Sequence, residues 1–368
     1  MARSADDPGG PRPSTVSNSR RSARNSDRFL DVLRDASRVT FVTHVYPDPD
    51  GIGSMLGLAH LVESCLCKPT RITRDGPISR AENRAMVELL QLELLSVDRV
   101  KWDPDEAVVM VDSQPKTGRH SFNGHVKMTA VIDHHATPGD LKGVPFVDVR
   151  TDLGATCSLV TRYLIEQDVA LNPTVATALL YGIETELGGY PREANRLDDD
   201  ALIYLYPQAD KDLLARIRNA RLPLCHFETM LMALQSSFIY DRLIISWVND
   251  LPQPELAAEI CDFLIRFEEV DWAVCAGVYH EQLIMSVRTA LPDANAGEVI
   301  KNVVGKLGRA GGHDRRAGGS IRLTSTAESA VDDLQSVLRK RLLKALKIDE
   351  CRGQRLVPLR EILQNLHS

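Results

Sequence analysis

Apolar runs that stop at acids or histidines set the pattern of this chain. Arg38 to Thr43 reads as a strand, and Thr43-His44-Val45-Tyr46-Pro47-Asp48-Pro49-Asp50-Gly51 follows it. Ala107 to Val111 is a second apolar, β-branched run, ended by Asp112. Thr129 to Ile132 is a third, ended by Asp133-His134-His135. Between them the spacing is helical: Gly51 to Cys67, Ala81 to Leu95, Gly154 to Gln167, and a helix opened by Asn172-Pro173 and running to about Gly182. Strands alternating with helices predict a parallel sheet covered on both faces. Strands that end in ligand-type residues bring those residues to one edge of such a sheet.

After residue 195 the pattern changes. Helical segments at Leu197 to Tyr204 and Lys211 to Asn219 carry few strand signals. Strands return at Leu243 to Val248, Trp272 to Val278 and Gln282 to Arg288, with helices at Glu255 to Arg266 and Ala296 to Gly305. The expected organisation is a disordered tail (1–26), a βα domain (27–194), a helical connector (195–237), a smaller α/β domain (238–349) and a C-terminal tail (350–368). The first tail is rich in Pro, Gly, Ser and Arg and has almost no large apolar side chains, so it cannot repay the entropy of ordering.

Length supports two domains, because 368 residues exceed one ordinary core. Lys plus Arg number 44 against 50 acids, a net charge of −6, which argues against coating long nucleic acid by bulk attraction. The seven cysteines are odd in number, scattered and form no CxxC pair, so a disulfide framework and a zinc site both fit poorly. No apolar run approaches a membrane span and no signal core opens the chain, so a cytoplasmic protein without a membrane partner is expected.

The chemistry lies in the strand ends. Four aspartates (Asp48, Asp50, Asp112, Asp133) gathered with histidines (His44, His134, His135) at one edge would repel as bare charge, and a bound divalent cation resolves that conflict. Mixed imidazole and carboxylate donors suit Mn²⁺, with Mg²⁺ as the alternative. An ordinary Asp/Pro turn is the plain reading of 44–51, and a lone Asp after a strand is commonly a cap. Two adjacent imidazoles beside a carboxylate have few purely structural uses. In the second half, Gly308-Arg309-Ala310-Gly311-Gly312-His313 precedes Ala317-Gly318-Gly319, where glycine backbone can approach an anion closely. Arg288 ends a strand; a solvating arginine is its plain reading.

Together these residues resemble the DHH family of phosphoesterases, in the subgroup with a DHHA1-type second domain, over roughly residues 36–325. The resemblance rests on the segment 43–54, Asp112, Asp133-His134-His135, Ser286-x-Arg288-Thr289 and Gly311-Gly312-His313 with Ala317-Gly318-Gly319. It implies an active site in the cleft between a parallel-sheet domain and the smaller domain. One ion would be held by His44, Asp48 and Asp112, and another by Asp50, Asp112, His134 and a late acid. The family usually has Asp there; here Gly182-Ile183-Glu184-Thr185-Glu186 puts Glu186 at that place. Asp133 would orient the imidazole beside it. His135, Arg288, Gly311, Gly312 and His313 would meet substrate phosphate. Short oligonucleotides, linear dinucleotides or nucleotide bisphosphates are the implied substrates, and a homodimer is compatible with the chain. Three alternatives stay open: a pyrophosphatase or polyphosphatase, a single-strand exonuclease, and a nucleotide-binding protein whose catalysis has decayed.

Overall fold

The computed structural model describes residues 24–121, 126–188, 195–312, 314–349 and 352–357. Its first sheet contains β1 (Val39–Val42), β2 (Thr70–Arg74), β3 (Leu95–Ser96), β4 (Ala107–Val111), β5 (Ala130–Asp133) and β6 (Phe146–Val149). The order is β3-β2-β1-β4-β5-β6 and every pairing is parallel. The chain winds outward from β1 in one direction, then returns to the other side of β1 with β4. Such a reversal opens a crevice at the carboxyl ends of the two central strands, where open α/β sheets bind ligands. His44 follows β1 and Asp112 follows β4, so both stand at that crevice.

Helices α1 (Asn25–Leu33), α2 (Pro49–Leu66), α3 (Ala81–Leu89), α4 (Thr156–Glu166) and α5 (Pro173–Leu187) all contribute to the core on one face of the sheet. Ile52, Met55, Leu58, Leu61 and Val62 of α2 are buried against Val39, Phe41, Val109 and Val111 in the main core. Among the described residues the opposite face has no helical cover of this kind, unlike the sheet covered on both faces that the strand–helix alternation predicts. There Val42, Val108, Met110 and Val131 pack against Trp102, Leu141 and Val144 from loops.

Three boundaries differ from the sequence expectation. Helix α5 runs past Gly182 to Leu187, because Ile183 continues its buried face. Helix α3 stops at Leu89 rather than Leu95. The segment expected as a connector divides between the domains. Helices α6 (Arg196–Leu205) and α7 (Lys211–Arg218) bury Leu205, Leu214 and Ile217 in the first domain's core. Helix α8 (Leu224–Gln235) places Ala233 in a core of the second.

The second sheet contains β7 (Ser237–Tyr240), β8 (Leu243–Val248), β9 (Trp272–Tyr279), β10 (Gln282–Thr289), β11 (Arg309–Gly312), β12 (Arg316–Arg322) and β13 (Gln354–Arg355), in the order β11-β12-β10-β9-β8-β7-β13. Only β8 and β9 pair in parallel, and α9 (Leu256–Leu264) makes that crossover. Alternate residues point to opposite faces. Ile245 therefore joins α10 (Ala296–Val304) and α11 (Glu328–Ala345), while Ile244 joins α9. The glycine-rich segment is not a tight loop. Gly311 and Gly312 lie in the outer strand β11, opposite Gly318 and Ala317.

Candidate active site

Asp48 is the N-cap of α2: its Oδ1 accepts from Gly51 N at 3.0 Å, and Pro49 occupies the first helical position. Capping with one oxygen leaves Oδ2 facing His44 Nε2 at 3.5 Å. The His44 ring is oriented by Nδ1, which donates to Val45 O at 2.8 Å. Asp112 Oδ2 lies 3.4 Å from the same Nε2. That nitrogen is buried and makes no hydrogen bond among the described residues. A buried ring nitrogen aimed between two carboxylates, with its other nitrogen pinned by a carbonyl, is how a metal-ligating histidine is held. His44, Asp48 and Asp112 place their donor atoms within 4.8 Å of one another, as do Asp112, His134 and His135.

Asp112 has a left-handed backbone, φ 55°, as β4 ends. Its Oδ1 accepts from Thr156 Oγ1 at 2.9 Å and lies 3.5 Å from His134 Nε2. Asp50 is in the first turn of α2, not in an extended loop. Its two oxygens accept from Cys157 N and Thr156 N, each at 2.8 Å, so it also caps the N-terminus of α4. Its Oδ2 lies 3.7 Å from His134 Nε2.

Asp133 does not orient His134. Its Oδ1 accepts from His135 Nδ1 at 2.8 Å. Leu153 O is the partner of His134 Nδ1, at 3.2 Å. Gln114 completes the arrangement: its Nε2 donates to Asp133 Oδ2 at 2.8 Å and to His135 O at 3.0 Å. Since His135 Nδ1 is committed to Asp133, its nearness to Asp112 does not by itself make it a ligand. Gln114 and Thr156 are the polar residues that the sequence reading passed over. Their only signal is position, two residues after Asp112 and at a helix start after Gly154.

Electrostatics match a site built for a cation. Burial alone would raise the Asp112 carboxyl, but His135, His44 and His134 hold it well below the usual carboxylate range. Burial disfavours a charged His44, yet Asp48 and Asp112 outweigh it and push that imidazole from 6.5 up to about 10. Asp50 goes the other way: burial, then the charges of Asp112, Glu186 and Asp48, push it well above its ordinary value. A carboxylate so crowded by others is relieved when a divalent cation enters.

Glu186 occupies the last turn of α5, half-buried, and lines the cleft outside both compact donor groups. The cleft is about 950 Å³. The first domain contributes Tyr46, Asp48, Asn83 and Glu186, and the second Asp262, Phe263 and Arg316. Arg288 is not an exposed solvating residue. It is 6% exposed, and Nε and Nη2 reach Asp262 Oδ1 and Oδ2 at 2.6 and 3.3 Å. Its Nη1 donates to Ser286 Oγ and Val287 O, which leaves one of five N–H groups, on Nη2, without a partner among the described residues. His313 lies outside the described residues.

The comparisons agree with this architecture. Residues 38–183 match the DHH family, N-terminal domain. An uncharacterised protein of Methanocaldococcus jannaschii is 28% identical over 315 residues, covering 84% of this chain and 64% of its own length. The cyclic-di-AMP phosphodiesterase GdpP of Bacillus subtilis is 21% identical over 325 residues, covering 83% of this chain and 48% of its own. The chain thus spans less than two thirds of both curated relatives. A crystal structure of an exopolyphosphatase-related protein from Bacteroides fragilis superposes with a TM-score of 0.68 at 18% identity, over 88% of this chain and 97% of that one. That likeness establishes the shared fold. Among the described residues no helix is long and apolar enough to cross a membrane.

Proposed function

We propose that this chain is a metal-dependent phosphoesterase that hydrolyses short oligonucleotides, linear dinucleotides or nucleotide bisphosphates. The observation that carries the reading is His44 Nε2, buried, without a hydrogen bond among the described residues and aimed between the carboxylates of Asp48 and Asp112, at a crevice opening onto a two-domain cleft. The donor set fits two divalent cations, Mn²⁺ before Mg²⁺. His44, Asp48 and Asp112 would hold one, and Asp50, Asp112 and His134, with Glu186 nearby, the other. Bound there, the ions would supply Lewis-acid polarisation of phosphate and activation of water at neutral pH.

The chain's own residues do the rest. Leu153 O and Val45 O fix the rings of His134 and His44 so that Nε2 of each faces the carboxylates. Asp133 and Gln114 fix His135, whose Nδ1 is thereby a donor and whose Nε2 is the atom offered to a phosphate oxygen. Burial opposes a proton on His135, but Asp112 and Asp133 more than restore it, so His135 is suited to donate to a phosphate or to a leaving oxygen. Tyr46 and Phe263, 40% and 50% exposed, line the cleft from the two domains and offer flat faces on which a base can stack. Those aromatic faces favour a nucleotide over pyrophosphate.

The test is hydrolysis with Mn²⁺ of a nucleotide bisphosphate, a dinucleotide, a long RNA and pyrophosphate in parallel. Preferential turnover of the first two is expected. Fast cleavage of pyrophosphate alone would replace this reading with the pyrophosphatase one, and processive attack on long RNA with the exonuclease one.

A further inference from the structure

The carbonyl that holds His134 belongs to a peptide whose other side is held as well. Leu153 O accepts from His134 Nδ1 at 3.2 Å. The N–H of the same planar unit is that of Gly154, and it donates to Asp198 Oδ2 at 2.9 Å. The C=O and N–H of a trans peptide point in opposite directions, so the imidazole and the carboxylate flank one amide. Asp198 lies in the first turn of α6, 44 residues beyond Gly154, in the segment that the sequence pattern reads as a connector. It is fully buried. Its Oδ2 also accepts from Asn195 N at 3.0 Å, which closes a capping box at the start of α6. Its Oδ1 is buried and makes no hydrogen bond among the described residues. Capping alone does not call for burial, because a cap at the surface does the same work without desolvating a carboxylate.

The close approach depends on Gly154 having no side chain. A Cβ there would lie 2.3 Å from Leu187 Cδ2 and 3.2 Å from Asp198 Oδ2. Asn195 Nδ2 donates to Asp152 Oδ2 at 2.9 Å, so α6 grips the loop on both sides of Leu153. Two residues after Gly154, Thr156 reaches Asp50 with its N and Asp112 with its Oγ1. Residues 152–156 therefore hold His134, Asp50 and Asp112, the three residues assigned above to the second ion. His44 and Asp48, by contrast, are fixed by Val45 O and Gly51 N.

We propose that Asp198 is a positioning residue for the second metal: its charge, felt through the Leu153–Gly154 amide, aims and strengthens the hydrogen bond that holds His134. Histidine ligands commonly give their other N–H to a carboxylate. Here one peptide stands between the two. A carboxylate that accepts from the N–H polarises the amide and makes its oxygen a better acceptor, and hydrogen bonds in such a chain reinforce one another. The His134 Nε2 is thereby held towards the carboxylates and made a stronger donor to a cation. The proposal rests on the phosphoesterase reading for the identity of the ion site and deepens it by naming what supports that site from α6.

The experiment titrates Mn²⁺ into the full-length chain by calorimetry, for wild type, Asp198→Ala and Asp198→Asn, with His134→Gln marking which of the sites is the second. Wild type should fill two sites. Asp198→Ala should weaken the second by about 10- to 100-fold, the usual cost of losing a partner behind a ligand, and leave the first near its wild-type affinity. Asp198→Asn keeps an oxygen for Gly154 N and loses only the charge, so at the second site it should fall between wild type and Asp198→Ala. It also carries the test if the alanine variant does not fold. A role confined to capping α6 would lower the melting temperature of Asp198→Ala and leave both affinities unchanged. That result, an equal fall at both sites, or wild-type affinity at the second site in Asp198→Asn overturns the proposal. Hydrolysis of a dinucleotide and a nucleotide bisphosphate with Mn²⁺ is read separately. A chain that shows the binding pattern but cleaves neither keeps the role of Asp198 and loses the phosphoesterase reading.

Discussion

Asp133 and His135 are bound to each other at 2.8 Å, Oδ1 to Nδ1, while His134, the imidazole adjacent to Asp133, turns to the carbonyl of Leu153. The pairing separates two roles within three consecutive residues. His134 is a candidate ligand held by main chain. His135 is a candidate substrate contact held by a carboxylate, and Gln114 holds that carboxylate in turn.

Asp133→Asn tests the separation. The carboxylate accepts from two donors, His135 Nδ1 and Gln114 Nε2, and an amide has only one oxygen. Gln114 cannot simply flip to match it, because its Oε1 accepts from Gly139 N at 2.9 Å. One donor is left facing another. Turnover is expected to fall by about 10- to 100-fold, the usual cost of removing an orienting partner. The Mn²⁺ concentration for half activity should stay near the wild-type value. A large shift in that concentration with turnover preserved would return Asp133 to the support of His134.

Asp112→Asn isolates charge from backbone. Asn tolerates the left-handed conformation that Asp112 adopts, so the fold should survive. The bound metal per chain, counted by elemental analysis after dialysis, should drop by at least one ion, and activity should vanish. Glu186→Ala should be milder, raising the Mn²⁺ needed for half activity, because Glu186 reaches the site through its field on Asp50. Equal titration curves for wild type and Glu186→Ala would remove Glu186 from the metal centre.

The strand ends were legible because burial makes them so. Val108 to Val111 and Val131 to Ile132 are buried on both faces of a parallel sheet, and their apolar runs break only at Asp112 and Asp133, which are themselves buried at the carboxyl edge. The contacts that tune the site were not legible. Asp50 caps a helix 106 residues away, and Arg288 pairs with Asp262 from α9. Long-range hydrogen bonds leave no periodicity in a sequence. Glycine carries no strand preference, so no strand was expected at β11; its extended form comes from pairing with β12. Helices α6 and α7 read as connector because their buried apolar faces are short, Ala201 with Leu205 in one and Leu214 with Ile217 in the other.

That hairpin makes a sharp prediction about two neighbouring glycines. A Cβ on Gly312 would fall 2.4 Å from Ala317 Cα, at a φ of 151°. Gly312→Ala should therefore lower the melting temperature, with a cost of about 1–3 kcal/mol. A Cβ on Gly311 meets nothing within 4 Å, so Gly311→Ala should melt with the wild type. If Gly311 N–H approaches substrate phosphate, the same variant raises KM several-fold with stability unchanged. Wild-type KM for Gly311→Ala would take Gly311 out of the substrate site.

His44 links metal to pH. Its imidazole is pushed from 6.5 to about 10 in the metal-free chain, so over that window the folded state holds a proton that the unfolded state has lost. The stability from this group is full below pH 6.5 and is lost as pH rises towards 10. Metal must displace the same proton, so metal affinity should rise with pH across the window. Melting of the metal-free protein between pH 7 and 10 should show the decline, and His44→Gln should flatten it. A metal affinity independent of pH would remove His44 from the ligand set.

Glu259 gives the last prediction, at the seam between the domains. Its side chain, on α9, is 21% exposed; Oε1 lies 3.7 Å from Arg80 Nε of the first domain, and Oε2 lies 3.5 Å from His226 Nδ1 on α8. Burial raises this carboxyl most, Arg80 lowers it, and Glu82, Glu255 and Asp262 raise it further, to about 7 from 4.5. Between pH 4.5 and 7 the folded chain keeps a proton on Glu259 that the unfolded chain releases, so stability falls as pH rises through that window. Glu259→Gln cannot ionise and lacks the penalty. Its melting temperature relative to wild type should therefore climb between pH 5 and pH 8, and a two-domain melt should show the change in the transition that separates the domains. If wild type instead gains on Glu259→Gln as pH rises, Glu259 is an ordinary carboxylate and its pair with Arg80 outweighs the cost of burying it.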